Sequence, residues 1–203
     1  MRWGFILIFL FFFVQFLHPQ SDTASFDLLP KKLSLVEKTL WGKQGLFRII
    51  GIAPLTMESR EKELKLRRTM LSLHQLGGFV TVGLMAMTVY YGQQVFNGKY
   101  ELINKHRGFV RATVVSYYLT ASLSLFSPPP LVRREKETSS ISIHKALAWV
   151  HFAGMLSTPI LGLSTRKTLD PDKAARLRQI HRVSGYITLA SLTGAMIVVT
   201  FFK

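Results

Sequence analysis

Four stretches of this chain, 70–94, 109–131, 146–165 and 183–202, contain no Asp or Glu and are dominated by apolar residues. Each is close to the length at which a helix crosses a bilayer, about 20 residues at about 1.5 Å rise over a hydrocarbon core of about 30 Å. In lipid every backbone polar group must be bonded internally, which restricts such segments to helices. The expected fold is therefore all-α, an integral-membrane up-and-down four-helix bundle. The 203 residues suffice for one such domain. They divide into a signal peptide or N-terminal anchor at 1–24, a polar and interfacial extension at 25–69, and a four-helix transmembrane core at 70–203.

Charge follows the same division. Twenty-six Lys and Arg stand against 11 Asp and Glu, a net +15, and the basic residues, Arg111 apart, lie outside the apolar windows. Anionic lipid headgroups account for that distribution, so membrane lipids are the expected partner. No basic stripe with interleaved exposed aromatics points to nucleic acid. The chain has no Cys, which excludes thiolate-held iron–sulfur clusters, thiolate-ligated haem and attachment through Cys-x-x-Cys-His. No Ser/His/Asp arrangement or His-Glu-x-x-His motif suggests a hydrolase. An ion- or proton-coupled transporter would place carboxylates inside the windows, and none is there. Metal transport through His and Met is a lesser alternative.

The N-terminus has Arg2 followed by a near-continuous apolar, Phe-rich run to Leu17, short for a span and suited to a signal-peptide core. The stretch Trp41–Ile50 is either a short helix at the membrane interface or a half-buried loop. Thr56 is a plausible N-cap for 58–68, which should continue unbroken into the first span. Arg67 and Arg68 would then snorkel to headgroups or meet anionic groups of a cofactor. Asn97-Gly98 turns the chain, and Pro128-Pro129-Pro130 ends the second span. Ser140 and Ser142 are candidate N-caps for the third, and Asp170-Pro171 starts the helix leading into the fourth. Basic residues divide almost equally between the two sides, so the positive-inside rule does not orient the bundle. An exported N-terminal segment would put 25–69 outside a bacterial inner (cytoplasmic) membrane.

Each span has a histidine near its start: His74, His106, His144 and His181, at steps of 32, 38 and 37 residues. In an up-and-down bundle His74 and His144 share one membrane face, and His106 and His181 the other. Arg107, Lys145 and Arg182 each follow a histidine directly, and glycines lie two to four residues after His74, His106 and His181. Small and hydroxyl residues continue the histidine faces: Gly77, Gly78, Thr81, Met85 and Thr88; Thr113, Tyr117 and Thr120; Gly185, Thr188, Leu192 and Ala195. A low-spin haem used for electron transfer wants two imidazoles that stay bound in both iron oxidation states. Small neighbours leave room for the porphyrin, and basic residues balance its propionates.

In these histidines and their glycine context, residues 70–202 resemble the transmembrane core of the cytochrome b561 family. The resemblance implies a bis-histidine core with two b-type haems, the iron ligands pairing His74 with His144 and His106 with His181. It implies a transmembrane electron-transfer oxidoreductase whose donor and acceptor are unidentified, a quinol or another small reductant among the candidates, acting as a homodimer or complex subunit. The chain differs from the family in lacking flanking spans, in its charged extension, and in an additional His151. That residue is a candidate to replace His144, to support a ligand, or to line a quinone site. The competing class is a cofactor-free membrane subunit or assembly factor.

Overall fold

The structure, a computed structural model, describes residues 27–132 and 139–202; the signal or anchor segment at 1–24 lies outside them, as do Arg133 and Arg134. Among the described residues there are helices and no strands. Two short helices, α1 (Leu35–Trp41) and α2 (Leu46–Ile49), precede four long ones: α3 (Met57–Phe96), α4 (Ile103–Leu125), α5 (Ser140–Lys167) and α6 (Pro171–Phe201). Three of these, α3, α5 and α6, are long and apolar enough to cross a membrane. The sequence reading gave α4 the same status; its mean hydropathy is lowered by Arg111 and by seven hydroxyl residues between Thr113 and Ser124.

The helix boundaries follow local chemistry. Thr56 caps α3, its Oγ1 accepting from the Ser59 N–H at 3.2 Å, and nothing then interrupts 40 residues, about 60 Å of helix. That is about twice the bilayer core, so the charged first turns stand clear of it. Gly98, at φ +96°, takes the left-handed turn that closes α3, a conformation costly for other residues. The N-cap of α5 is Ser139 rather than Ser140 or Ser142. Ser139 and Ser142 cap each other reciprocally, with Ser142 at the third helical position. Asp170 caps α6 through the N–H groups of Asp172 and Lys173, with Pro171 at the first helical position.

The long helices form two antiparallel hairpins, α3/α4 and α5/α6, and α3 also packs along α6. Within each hairpin the contact is made by glycine and hydroxyl residues. Thr81 Oγ1 meets Ser116 Oγ at 2.8 Å, Thr88 meets Thr113 at 2.8 Å, and Thr158 meets Ser184 at 2.6 Å. A Cβ on Gly77 would lie 2.4 Å from Thr120 Oγ1, and one on Gly154 only 2.0 Å from Thr188 Oγ1. Such close approach is how helices associate where lipid tails are as apolar as Leu. Large apolar side chains such as Leu76, Phe79, Leu119, Leu156 and Ile187 instead face outward. The buried apolar centre takes one residue from each long helix: Met85, Tyr117, Met155 and Leu192.

Residues 27–56 fold over the start of α3 and the end of α4. Trp41 is buried, and its Nε1 donates to the Phe126 carbonyl at 3.0 Å. Trp41 is thus docked on protein, and the stretch Trp41–Ile50 includes the short helix α2. Glu63 is clamped between Arg48 and Arg60, and all three are nearly inaccessible. Arg60 also donates to the carbonyls of Leu28 and Pro129, at 2.8 and 3.1 Å. Arg67 donates to Ser127 Oγ and the Pro128 carbonyl.

Two outcomes test this packing. Glu63→Gln leaves two buried guanidinium groups without their counter-charge, a loss of about 3–5 kcal/mol. Limited proteolysis should then cut within 27–56 far faster, with helix content by circular dichroism nearly unchanged. Gly154→Ala should destabilise the protein by about 1–3 kcal/mol through overpacking. Gly83→Ala, where a Cβ meets nothing within 4 Å, should be close to neutral in the same thermal unfolding in detergent.

Candidate functional site

Four histidines are brought together as two pairs. The rings of His74 (α3) and His144 (α5) have centroids 6.2 Å apart at an interplanar angle of 87°. Those of His106 (α4) and His181 (α6) are also 6.2 Å apart at 87°. The pairing is the one expected from an up-and-down arrangement, and His144 rather than His151 stands opposite His74.

Every one of these rings is held the same way. Nδ1 of His74 contacts the Thr120 carbonyl at 2.8 Å, and that of His106 the Thr88 carbonyl at 3.0 Å. Nδ1 of His144 reaches the Ala195 carbonyl at 3.0 Å, and that of His181 the Thr158 carbonyl at 2.9 Å. Each bond crosses to the other helix of the same hairpin. A carbonyl oxygen can only accept, so Nδ1 carries the hydrogen and the lone pair of each neutral ring falls on Nε2. A ligating histidine needs this arrangement: an outer acceptor that fixes the tautomer and orients the free nitrogen.

A spacing rule underlies it. Thr88, Thr120, Thr158 and Ala195 each lie 14 residues after the histidine of their own helix. Fourteen residues are just under four turns and about 21 Å, so each helix presents a histidine and, one site further along the same face, a carbonyl for its neighbour's histidine. The two pairs therefore sit about 21 Å apart along the helices. Gly92 and Gly162, each 18 residues after a histidine, complete the pattern at one end. A Cβ there would lie 2.9 Å from the His106 ring and 3.1 Å from the His181 ring, so only glycine lets these imidazoles reach their carbonyls. The sequence reading placed Thr88, Thr120 and Ala195 on histidine faces but missed Gly92 and the shared interval.

The pairs can be tested against a ligand. Two imidazoles on opposite sides of one metal, each bonded at about 2.0–2.1 Å and with about 1.1 Å from nitrogen to ring centre, place their centroids about 6.3 Å apart. The observed centroid separation of 6.2 Å matches that spacing at both sites. Among the described residues no group of three or more His, Cys, Asp or Glu gathers around a point. A bare ion would thus have only two protein ligands here. A planar group that fills four equatorial positions itself needs only two, and haem is such a group.

The remaining candidates fall around the sites. Arg107 is half-buried beside His106, and Lys145 is exposed at the level of His144. Arg182 lies 4.0 Å above the Phe96 ring, and Lys105 lies 5.9 Å from the centre of Tyr91. His151 is buried deeper in the bundle, its Nδ1 at 2.9 Å from the Tyr117 hydroxyl. Comparison of the chain with protein-family models, with curated proteins and with solved structures finds no match.

The tautomer assignment has a direct check. In cofactor-free protein labelled with ¹⁵N-histidine, the neutral forms of His74, His106, His144 and His181 should all be the Nδ1–H tautomer.

Proposed function

We infer that the protein is a di-haem b-type cytochrome that transfers electrons across or along a membrane. Its four long helices form one transmembrane bundle. The observation that carries this reading is the duplicated histidine pair: two sites with the same 6.2 Å separation, each with both Nε2 lone pairs fixed by a backbone carbonyl. The resemblance of residues 70–202 to the cytochrome b561 core points the same way. That α4 spans the membrane is supported by where its hydroxyls go. Thr113 and Ser116 bond to α3, and Ser122 and Ser124 bond back to carbonyls of their own helix. Hydroxyls satisfied in this way do not oppose insertion.

Haem held between each pair would supply a one-electron couple. The chain does the rest. His74 with His144, and His106 with His181, would hold the two haem irons through Nε2. The carbonyls of Thr120, Ala195, Thr88 and Thr158 hold these rings rigid, which limits reorganisation when charge changes. Arg107 and Lys145 stand where propionates would emerge. Met85, Tyr117, Met155 and Leu192 fill the space between the sites and exclude water from it. The donor and acceptor are external: a quinol or small organic reductant on one side, and a second redox partner on the other.

A dithionite-reduced minus oxidised spectrum of the detergent-purified protein, with haem content per chain, tests the reading. The wild type should show a sharp low-spin α-band and about two haems. His106→Ala or His181→Ala should each lose about one haem, as should His74→Ala or His144→Ala. A wild type without haem after expression with ample haem supply would overturn the cytochrome reading in favour of a cofactor-free membrane subunit.

A further inference from the structure

His151 is unlike every other polar residue of the buried interior. It lies seven residues beyond His144 on α5, about 10.5 Å deeper, which is half of the interval between the two histidine pairs. Its ring is 8% exposed, and its one hydrogen bond among the described residues is to the Tyr117 hydroxyl, at 2.9 Å within the buried core. Elsewhere in this interior a hydroxyl is satisfied by another hydroxyl or by a helix carbonyl, as with Thr81 and Ser116 or Thr88 and Thr113. Tyr117 alone is given an imidazole.

An ionisable side chain at this depth is costly and marks a functional site. The titratable group in contact with His151 is Tyr117 from α4, which in turn packs on Tyr118, while His144 of its own helix and His74 of α3 act on it through charge without touching it. The buried residues that α6 contributes are Ala174, Gly185, Thr188, Ser191, Leu192 and Ala195, none of them titratable. No carboxylate lies in any of the apolar windows. The basic side chains nearest the sites, Lys145, Arg107 and Arg182, sit beside the histidine pairs towards the helix ends, and none of them is among the buried residues around His151. One base stands within reach, and a hydroxyl that can rotate to give or take a hydrogen bond is already attached to it.

We propose that His151, held by Tyr117 midway between the histidine pairs, takes up one proton when the His74/His144 site accepts an electron. This rests on the di-haem reading. The balance is simple: one electron reduces Fe(III) to Fe(II), and one proton from the aqueous phase converts His151 to imidazolium while Tyr117 turns its oxygen lone pair toward it. Reoxidation reverses both steps. The electron comes from a one-electron reductant, or from a quinol that releases protons as it gives up electrons.

Redox titration of the purified holoprotein, poised with dithionite and followed at the α-band from about pH 5 to about pH 8, spans the range in which imidazole titrates. In the wild type the midpoint potential of one haem should fall as pH rises, with a slope of up to one proton per electron. In His151→Gln that slope should vanish while two haems per chain and the low-spin spectrum persist. Tyr117→Phe removes only the hydroxyl and should move the sloping region along the pH axis by an amount readable in the same titration. A slope that survives in His151→Gln, a profile unchanged in Tyr117→Phe, or a flat wild-type profile each overturns the proposal. A wild type without haem instead overturns the cytochrome reading on which it stands, and the haem count separates that result from the others.

Discussion

The bond from an imidazole Nδ1–H to a backbone carbonyl of the neighbouring helix, made four times, is the constraint on which the interior depends. Each carbonyl already accepts within its own helix and uses a second lone pair for the histidine. The bond therefore costs no helical hydrogen bond. It sets the tautomer, aims Nε2 away from the hairpin, and ties the register of α3 to α4 and of α5 to α6. Interhelical hydrogen bonds in membranes are worth only about 0.6–2 kcal/mol each. Their value here is positional. The two hairpins can meet with their free nitrogens opposed only if both have the same internal register, and the 14-residue interval supplies it.

That constraint explains an interior inverted relative to a soluble core. Hydroxyls and glycines line the helix contacts, and Thr81, Thr113 and Thr188 are among the least exposed residues of the chain. Large aliphatic and aromatic side chains occupy the outer surface, where lipid is their solvent. A small-residue interface lets backbones come close enough for an imidazole to touch the carbonyl across from it. Bulkier packing within either hairpin would push Thr120 away from His74, or Thr158 away from His181. Close packing inside the hairpins and ligand geometry between them are one requirement, met by the same residues.

Much of this was legible in the sequence, for reasons that separate the parts. The helices follow from acid-free apolar windows, from Thr56 and Asp170 as caps, and from Gly98 and Pro128-Pro129-Pro130 as stops. The inward faces follow from helical periodicity, and Thr81, Met85, Tyr117, Thr188 and Ala195 are buried on the faces so assigned. The pairing of His74 with His144 follows from alternation of direction alone. The carbonyl acceptors left little trace, because a backbone atom has no residue type: Ala195 serves as well as Thr88. The fold of residues 27–56 was also hidden. It depends on long-range partners, Glu63 with Arg48 and Trp41 with the Phe126 carbonyl, that no local pattern encodes.

The two ends of the bundle are built for different neighbours. At the His74/His144 end, α3 runs several turns past the histidine, and a buried Arg–Glu–Arg cluster locks residues 27–56 onto the end of α4. At the His106/His181 end the α3/α4 connection is a short turn. Two basic side chains there lie on aromatic rings, Lys105 on Tyr91 and Arg182 on Phe96, and Tyr186 is tied to Gln93. Cations resting on aromatic faces at a helix end mark the depth where hydrocarbon gives way to headgroups. One site thus lies beside basic side chains resting on aromatic rings, and the other beneath a folded polar cap. With the same 6.2 Å separation in both histidine pairs, any difference between the two sites must come from these surroundings and from the buried His151–Tyr117 pair placed between them.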